Sequence, residues 1–189
     1  MILPLITALV LAPPAYKPAD AAFRMPPSAR IVVIKSKREL QVVQGESIIR
    51  RYRVGLGLEP VMPKVAKGDF ATPEGNYFVC SKNPKSKWGL SIGVSYPNPN
   101  DAERGLDAKL ISEQDHDRII ASFVNHTAPP MNTPLGGLIM IHGLPLERPN
   151  WGADHWMYNW TTGCIAVTDR EMDEIWDSVD VGTPIEIRP

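Results

Sequence analysis

Two cysteines and four histidines carry most of the nucleophilic and acid–base chemistry open to this 189-residue chain. Cys164 stands in Thr161-Thr162-Gly163-Cys164-Ile165-Ala166-Val167. A glycine directly before it allows a tight entry and close backbone approach. The amides of Gly163 and Cys164 can then point together at a substrate oxygen, as an oxyanion hole requires. The bland alternative is a small buried hydrophobe. Cys80, within Asn76-Tyr77-Phe78-Val79-Cys80, fits that alternative better. His142 ends the apolar run Leu138-Ile139-Met140-Ile141 and is followed by Gly143. Such a side chain either projects into a cleft or is satisfied in the core by a backbone carbonyl. His116, among Glu113, Asp115 and Asp117, and His126, near Pro129 and Pro130, read as surface residues. A free thiol is only a few per cent ionised at neutral pH. A nearby histidine can take its proton and leave a thiolate–imidazolium pair, so Cys164 and His142 are a candidate nucleophile and base. His142, His155 and Cys164 would also suit zinc by ligand type. The strand-end contexts of His-Gly and Gly-Cys speak against that zinc reading.

Positioning these residues requires strands. Ile31–Ile34 is a β-branched run, and Leu40–Gln44 and Ser47–Val54 flank Gly45-Glu46 as a hairpin. Asn76–Cys80, Leu90–Ser95, Leu138–His142, Gly163–Val167 and Pro184–Arg188 read as further strands. One helix is expected somewhere in 101–124, where Ile119, Ile120 and Phe123 have helical spacing. Another starts at the capping box Thr168-Asp169-Arg170-Glu171 and presents Met172, Ile175, Trp176 and Val179 on one face before Gly182. The expectation is a mostly β domain with one or two packed helices. Without βαβ alternation a dinucleotide fold is disfavoured, and Gly55-x-Gly57 lacks the third glycine of a phosphate cradle.

Charge excludes other classes. Twenty basic against 21 acidic side chains leave a net charge of −1, so no general basic field is available for nucleic acid. Two cysteines make neither a disulfide framework nor a four-thiolate zinc site. Residues 2–12 form an apolar run too short to span a membrane, and Ala19-Asp20-Ala21 follows as a small-x-small cleavage pattern. The expectation is a signal peptide over 1–21, a linker over 22–29 and one domain over 30–189. No Lys or Arg precedes the apolar run, which fits a true start further upstream.

With these residues in place the chain resembles the L,D-transpeptidase catalytic domains of bacterial cell-wall enzymes, over roughly 30–189. The resemblance rests on Ile141-His142-Gly143 and Thr161-Thr162-Gly163-Cys164-Ile165, on the stretch Gly68–Tyr77, on Ser95-Tyr96-Pro97-Asn98, and on Gly182–Ile187. It implies a sandwich- or barrel-like β domain in the periplasm that needs no cofactor and acts on peptidoglycan stem peptides. Cys164 would attack the carbonyl at the L-centre of meso-diaminopimelate, and His142, oriented by the Gly143 carbonyl, would protonate the departing D-alanine. An amine or water would then resolve the thioester. Many members carry Arg or Asn two residues after the cysteine, and others often carry His just before the glycine. Here Ala166 and Thr162 stand there, as in a Gram-negative subgroup that includes enzymes releasing an outer-membrane lipoprotein from peptidoglycan. Ala166 is expected to leave room beside the thiol. The loop between His142 and Cys164 holds Trp151, Trp156 and Trp160; Trp151 and Trp156, with Thr162, are expected at the substrate cleft, and Trp160 in a packing role. The rival classes are a lipoprotein-releasing hydrolase with the same site, a zinc-dependent wall hydrolase and an inert wall-binding module.

Overall fold

A computed structural model describes residues 23–26, 28–145 and 149–189, without the side chains of 149–151 and 153. The expected signal segment lies outside them. The β-branched run becomes β1 (Ala29–Ile34), and the hairpin becomes β2 (Glu39–Gln44) and β3 (Ser47–Arg53). β4 (Leu56–Gly57), β5 (Gly75–Ser86) and β6 (Gly89–Val94) follow. Next come helices α1 (Pro99–Asp107) and α2 (Glu113–Val124), then β7 (Met140–His142) and a 3-10 segment over Pro149–Met157. β8 (Asn159–Thr161), β9 (Ile165–Ala166), α3 (Asp169–Ser178) and β10 (Pro184–Arg188) complete the order.

Eight strands form one mixed sheet in the order β3-β2-β1-β10-β5-β6-β7-β9, and β4 pairs with β8 separately. The chain just past β3 returns to the far edge, where Gly55 and Ala166 exchange two backbone hydrogen bonds of 2.9 Å. That exchange gives the sheet its barrel-like closure. Inward-facing Ile31, Val33, Leu40, Val79, Ile92, Ile141 and Ile165 form the main core with Met172 and Ile175 of α3. Phe23 and Met25 pack against it, so the ordered body reaches into the expected linker.

Among the described residues there are three α-helices rather than one or two, because the 101–124 region splits. Asn98 and Asp101 form a capping box for α1, with Pro99 at its first turn. Ser112 then caps α2 through the Asp115 amide. The two helices bury Ala102, Ile111 and Ile119 with Leu135 as a second small core. The capping box of α3 is present, with the Thr168 amide donating to Glu171 Oε2 at 2.9 Å. This helix stops at Ser178, short of Gly182.

Candidate active site

β7 and β9 run parallel, with Ile141 opposite Ile165 and His142 opposite Ala166. Cys164 directly precedes β9 and lines the same cleft as Trp88, the ring on which His142 stacks. α3 begins immediately after β9 and caps this end of the sheet. A Cβ on Gly143 would collide with Asp169 Oδ1, which already accepts the Leu144 amide at 2.8 Å. A side chain there would have to displace the Asp169 carboxylate.

His142 is fully buried. Its ring stacks on Trp88, with centroids 4.2 Å apart and planes 13° off parallel, and meets the edge of Trp160 at 5.8 Å. Nδ1 lies 2.7 Å from the Gly143 carbonyl oxygen. A carbonyl only accepts, so the neutral ring carries its proton on Nδ1 and leaves Nε2 as a bare acceptor. Nε2 is buried and has no hydrogen-bond partner among the described residues. Burial drops the imidazole from 6.5 to about 4, against the pull of the Gly143 bond and helped by the Lys87 ammonium.

Cys164 is 5% exposed. Its thiol donates to the Leu138 carbonyl at 3.6 Å rather than to His142. Burial pushes the thiol above its usual range, opposed by the Met140 amide and the Lys87 and Lys64 ammonium groups. The thiolate–imidazolium pair expected from the sequence is thus disfavoured here. Low polarity penalises both charges, and the resting pair is a neutral thiol and a neutral imidazole.

Gly163 has φ +122°, a region glycine adopts readily, and a Cβ there would stand 2.6 Å from the Ala71 carbonyl oxygen. Its amide, expected to face the substrate, donates instead to Thr161 Oγ1 at 3.2 Å, while that hydroxyl donates to the Cys164 carbonyl at 2.7 Å. Thr161 thereby ties the turn that presents the thiol.

The thiol opens into a cleft of about 650 Å³. Thr162 lines it and is exposed. Trp156 does not line it: its ring lies under the Arg53 guanidinium at 4.8 Å, and Arg38 holds its carbonyl at 3.1 Å. The Trp151 side chain lies outside the described residues. Trp160 packs as expected, on His142. Ala166 leaves no space beside the thiol, because it is fully buried between β7 and Gly55.

Sequence reasoning missed the aromatic wall that is present, Trp88 on the β5–β6 hairpin, and the lysines Lys64, Lys67 and Lys87 around the cleft. A tryptophan in the turn Lys85–Gly89, between two predicted strands, was the available signal. It also missed the two rims. Phe70 and Leu138 both line the cleft, both are exposed, and both hold φ +58°. Bulky residues adopt that conformation only where the surroundings impose it. At Leu138 it accompanies the carbonyl that receives the thiol.

His155 is fully buried with neither ring nitrogen partnered among the described residues. Burial drops it to about 4, with a smaller contribution from His142. Among the described residues no three His, Cys, Asp or Glu side chains group so as to hold a metal ion, so the zinc set weighed from the sequence does not assemble.

The model of the YkuD family, the L,D-transpeptidase catalytic domain, matches residues 28–187. The chain belongs to this family. The solved structure of the helical cell shape determining protein Pgp2 from Campylobacter jejuni is similar, with 20% identity and a TM-score of 0.55 over 85% of this chain and 47% of that one. So are Bd1075 from Bdellovibrio bacteriovorus (23%, 0.51, over 85% and 47%) and an L,D-transpeptidase from Mycobacterium smegmatis (15%, 0.50, over 86% and 59%). These likenesses speak to the YkuD fold, and the chain spans about half the length of the first two structures. No curated protein matches it.

Proposed function

We propose that this YkuD domain is a cysteine acyltransferase of the bacterial wall, cleaving a peptidoglycan stem peptide through a thioester on Cys164. One observation carries the reading. His142 is locked by the Gly143 carbonyl at 2.7 Å as the tautomer whose Nε2 can only accept, and it stacks on the Trp88 ring that lines the thiol's cleft. A group so held is a base waiting for a proton.

In the first step Sγ turns from Leu138 towards Nε2 and gives up its proton as it attacks the carbonyl at the L-centre of meso-diaminopimelate. The S–C bond forms, and the oxyanion rests on the Cys164 amide. The C–N bond to D-alanine then breaks, and the proton held on Nε2 passes to the departing amine. In the second step an amine attacks the thioester, the thiol leaves with its proton restored, and a new amide remains. With water as the attacker the product is a shortened stem. Because both groups start neutral, proton transfer accompanies attack rather than preceding it. A periplasmic location follows from that substrate and agrees with the apolar N-terminal run.

Incubation with a disaccharide tetrapeptide, followed by intact-mass spectrometry, tests the reading. Addition of the donor minus D-alanine to the protein, absent in Cys164→Ala, is expected. A 3–3 crosslink on adding a second stem identifies transfer, and freed lipoprotein or tripeptide stems identify hydrolysis. No adduct and no product from any stem would overturn it.

A further inference from the structure

His142 is neutral at rest, and in the proposed reaction it does not stay so. As Sγ bonds to the stem carbonyl carbon, its proton passes to Nε2. The ring is then an imidazolium until that proton reaches the departing amine. A positive charge must therefore be held on a ring that is fully buried, where low polarity penalises it. No carboxylate among the described residues hydrogen-bonds to the ring: its partner at Nδ1 is the neutral Gly143 carbonyl. The charged neighbour that acts on it is the Lys87 ammonium, which opposes a second positive charge.

The Trp88 indole offers what the carboxylate of a charged triad would otherwise supply. It lies face-on to the imidazole, with centroids 4.2 Å apart and planes 13° off parallel. An aromatic face is the negative side of the ring quadrupole. A cation over tryptophan within about 6 Å is attracted to that face, most strongly where water is excluded. Trp160 meets the imidazole at 5.8 Å and 73°, so the face-on contact belongs to Trp88. The other side of the indole already carries a cation. Lys87 Nζ stands 4.1 Å from its centre, and the stacked imidazole leaves it only the opposite face. Lys87 is exposed and shares its charge with water, whereas buried His142 cannot.

We propose that Trp88 is a positioning residue whose indole face stabilises His142 as an imidazolium while the thioester forms and the amine departs. The inference rests on the thioester reading above. Its energy is delivered only once the proton has moved, so it lowers the barrier rather than tightening the resting site.

The test replaces Trp88 alone, among the chain's five tryptophans, with mono-, di-, tri- and tetrafluorotryptophan by nonsense suppression. Each fluorine withdraws density from the ring face and hardly changes its shape. The rate of thioester formation at saturating tetrapeptide donor, read by intact-mass spectrometry, is expected to fall stepwise with fluorine number. The whole series should span about 10–30-fold, the scale of a desolvated cation–π contact. KM and the melting curve should stay nearly constant along it. Trp88→Leu, which keeps apolar bulk without a face, should be at least as slow as the tetrafluoro protein. A rate independent of fluorine number, or a loss carried by KM alone, overturns the inference and leaves the thioester reading standing, whether or not Trp88→Leu folds. No thioester in the wild type overturns both.

Discussion

The β5–β6 ladder around Cys80 and the β7–β9 end around Cys164 each take up a thiol, and burial pushes both above their usual range. The neighbours separate them. Around Cys80 the opposing influences are the Ser81 hydroxyl and the residue's own backbone, and a Cβ on Gly93 would stand 3.0 Å from its Sγ. Around Cys164 they are the Met140 amide and two lysines, with a cleft in front whose Trp88 wall backs an oriented histidine. Burial alone therefore says little about reactivity. What distinguishes a nucleophile is a base held in one tautomer and a surface from which substrate can arrive.

The largest expected effect is on Cys164 itself. Cys164→Ala should abolish adduct formation while leaving the melting curve nearly unchanged, and Cys80→Ala should keep activity within about twofold. Activity surviving in Cys164→Ala would erase the distinction between the two regions. His142→Ala should follow, with a loss of about 10²–10⁴-fold in the rate of thioester formation, the usual contribution of a general base. Near-normal turnover in that variant would remove His142 from the chemistry.

The buried seam behind the thiol gives a third contrast. Ala166→Arg would place an unpaired charge between β7 and Gly55, and should destabilise the fold by at least about 3 kcal/mol in urea unfolding. A variant of unchanged stability that merely shifts hydrolysis against transfer would show that space exists there after all. The smallest effect is in pH. An ordinary histidine of pKa 6.5 is only about one-tenth neutral at pH 5.5. His142 at about 4 remains the neutral base there. The acid limb of kcat/KM should lie near 4, so the rate at pH 5.5 stays close to its value at 7. A limb near 6.5 would mean that water reaches the imidazole.

The strands were legible where β-branched runs and turn residues mark them, as in β1–β3, and α3 was legible from Thr168 and Glu171. β4 and β8 were not, because two- and three-residue pairings carry no period. Cys164, His142 and Gly143 were legible from their strand-end contexts and from the resemblance. Their protonation was not: it depends on the closure between Gly55 and Ala166 and on the burial this brings, a long-range property. The Ala166 expectation failed for the same reason, since a small side chain in a closed seam is filled in by its neighbours. Phe70 and Leu138 escaped because nothing local announces a left-handed backbone at a bulky residue.

β10 has a consequence for how the domain is made. It lies between β1 and β5, parallel to the first and antiparallel to the second. Until Pro184–Arg188 is in place, the sheet is two separate ladders with an open seam between them. Pairing across some 150 residues is slow, because loop closure must precede the contacts that reward it. The order of events is therefore set by topology: the β1–β3 meander and the β5–β6 hairpin form from local contacts, and the strand farthest along the chain joins them last. A chain lacking that strand cannot join β1 to β5, so the sheet stays in two parts without it.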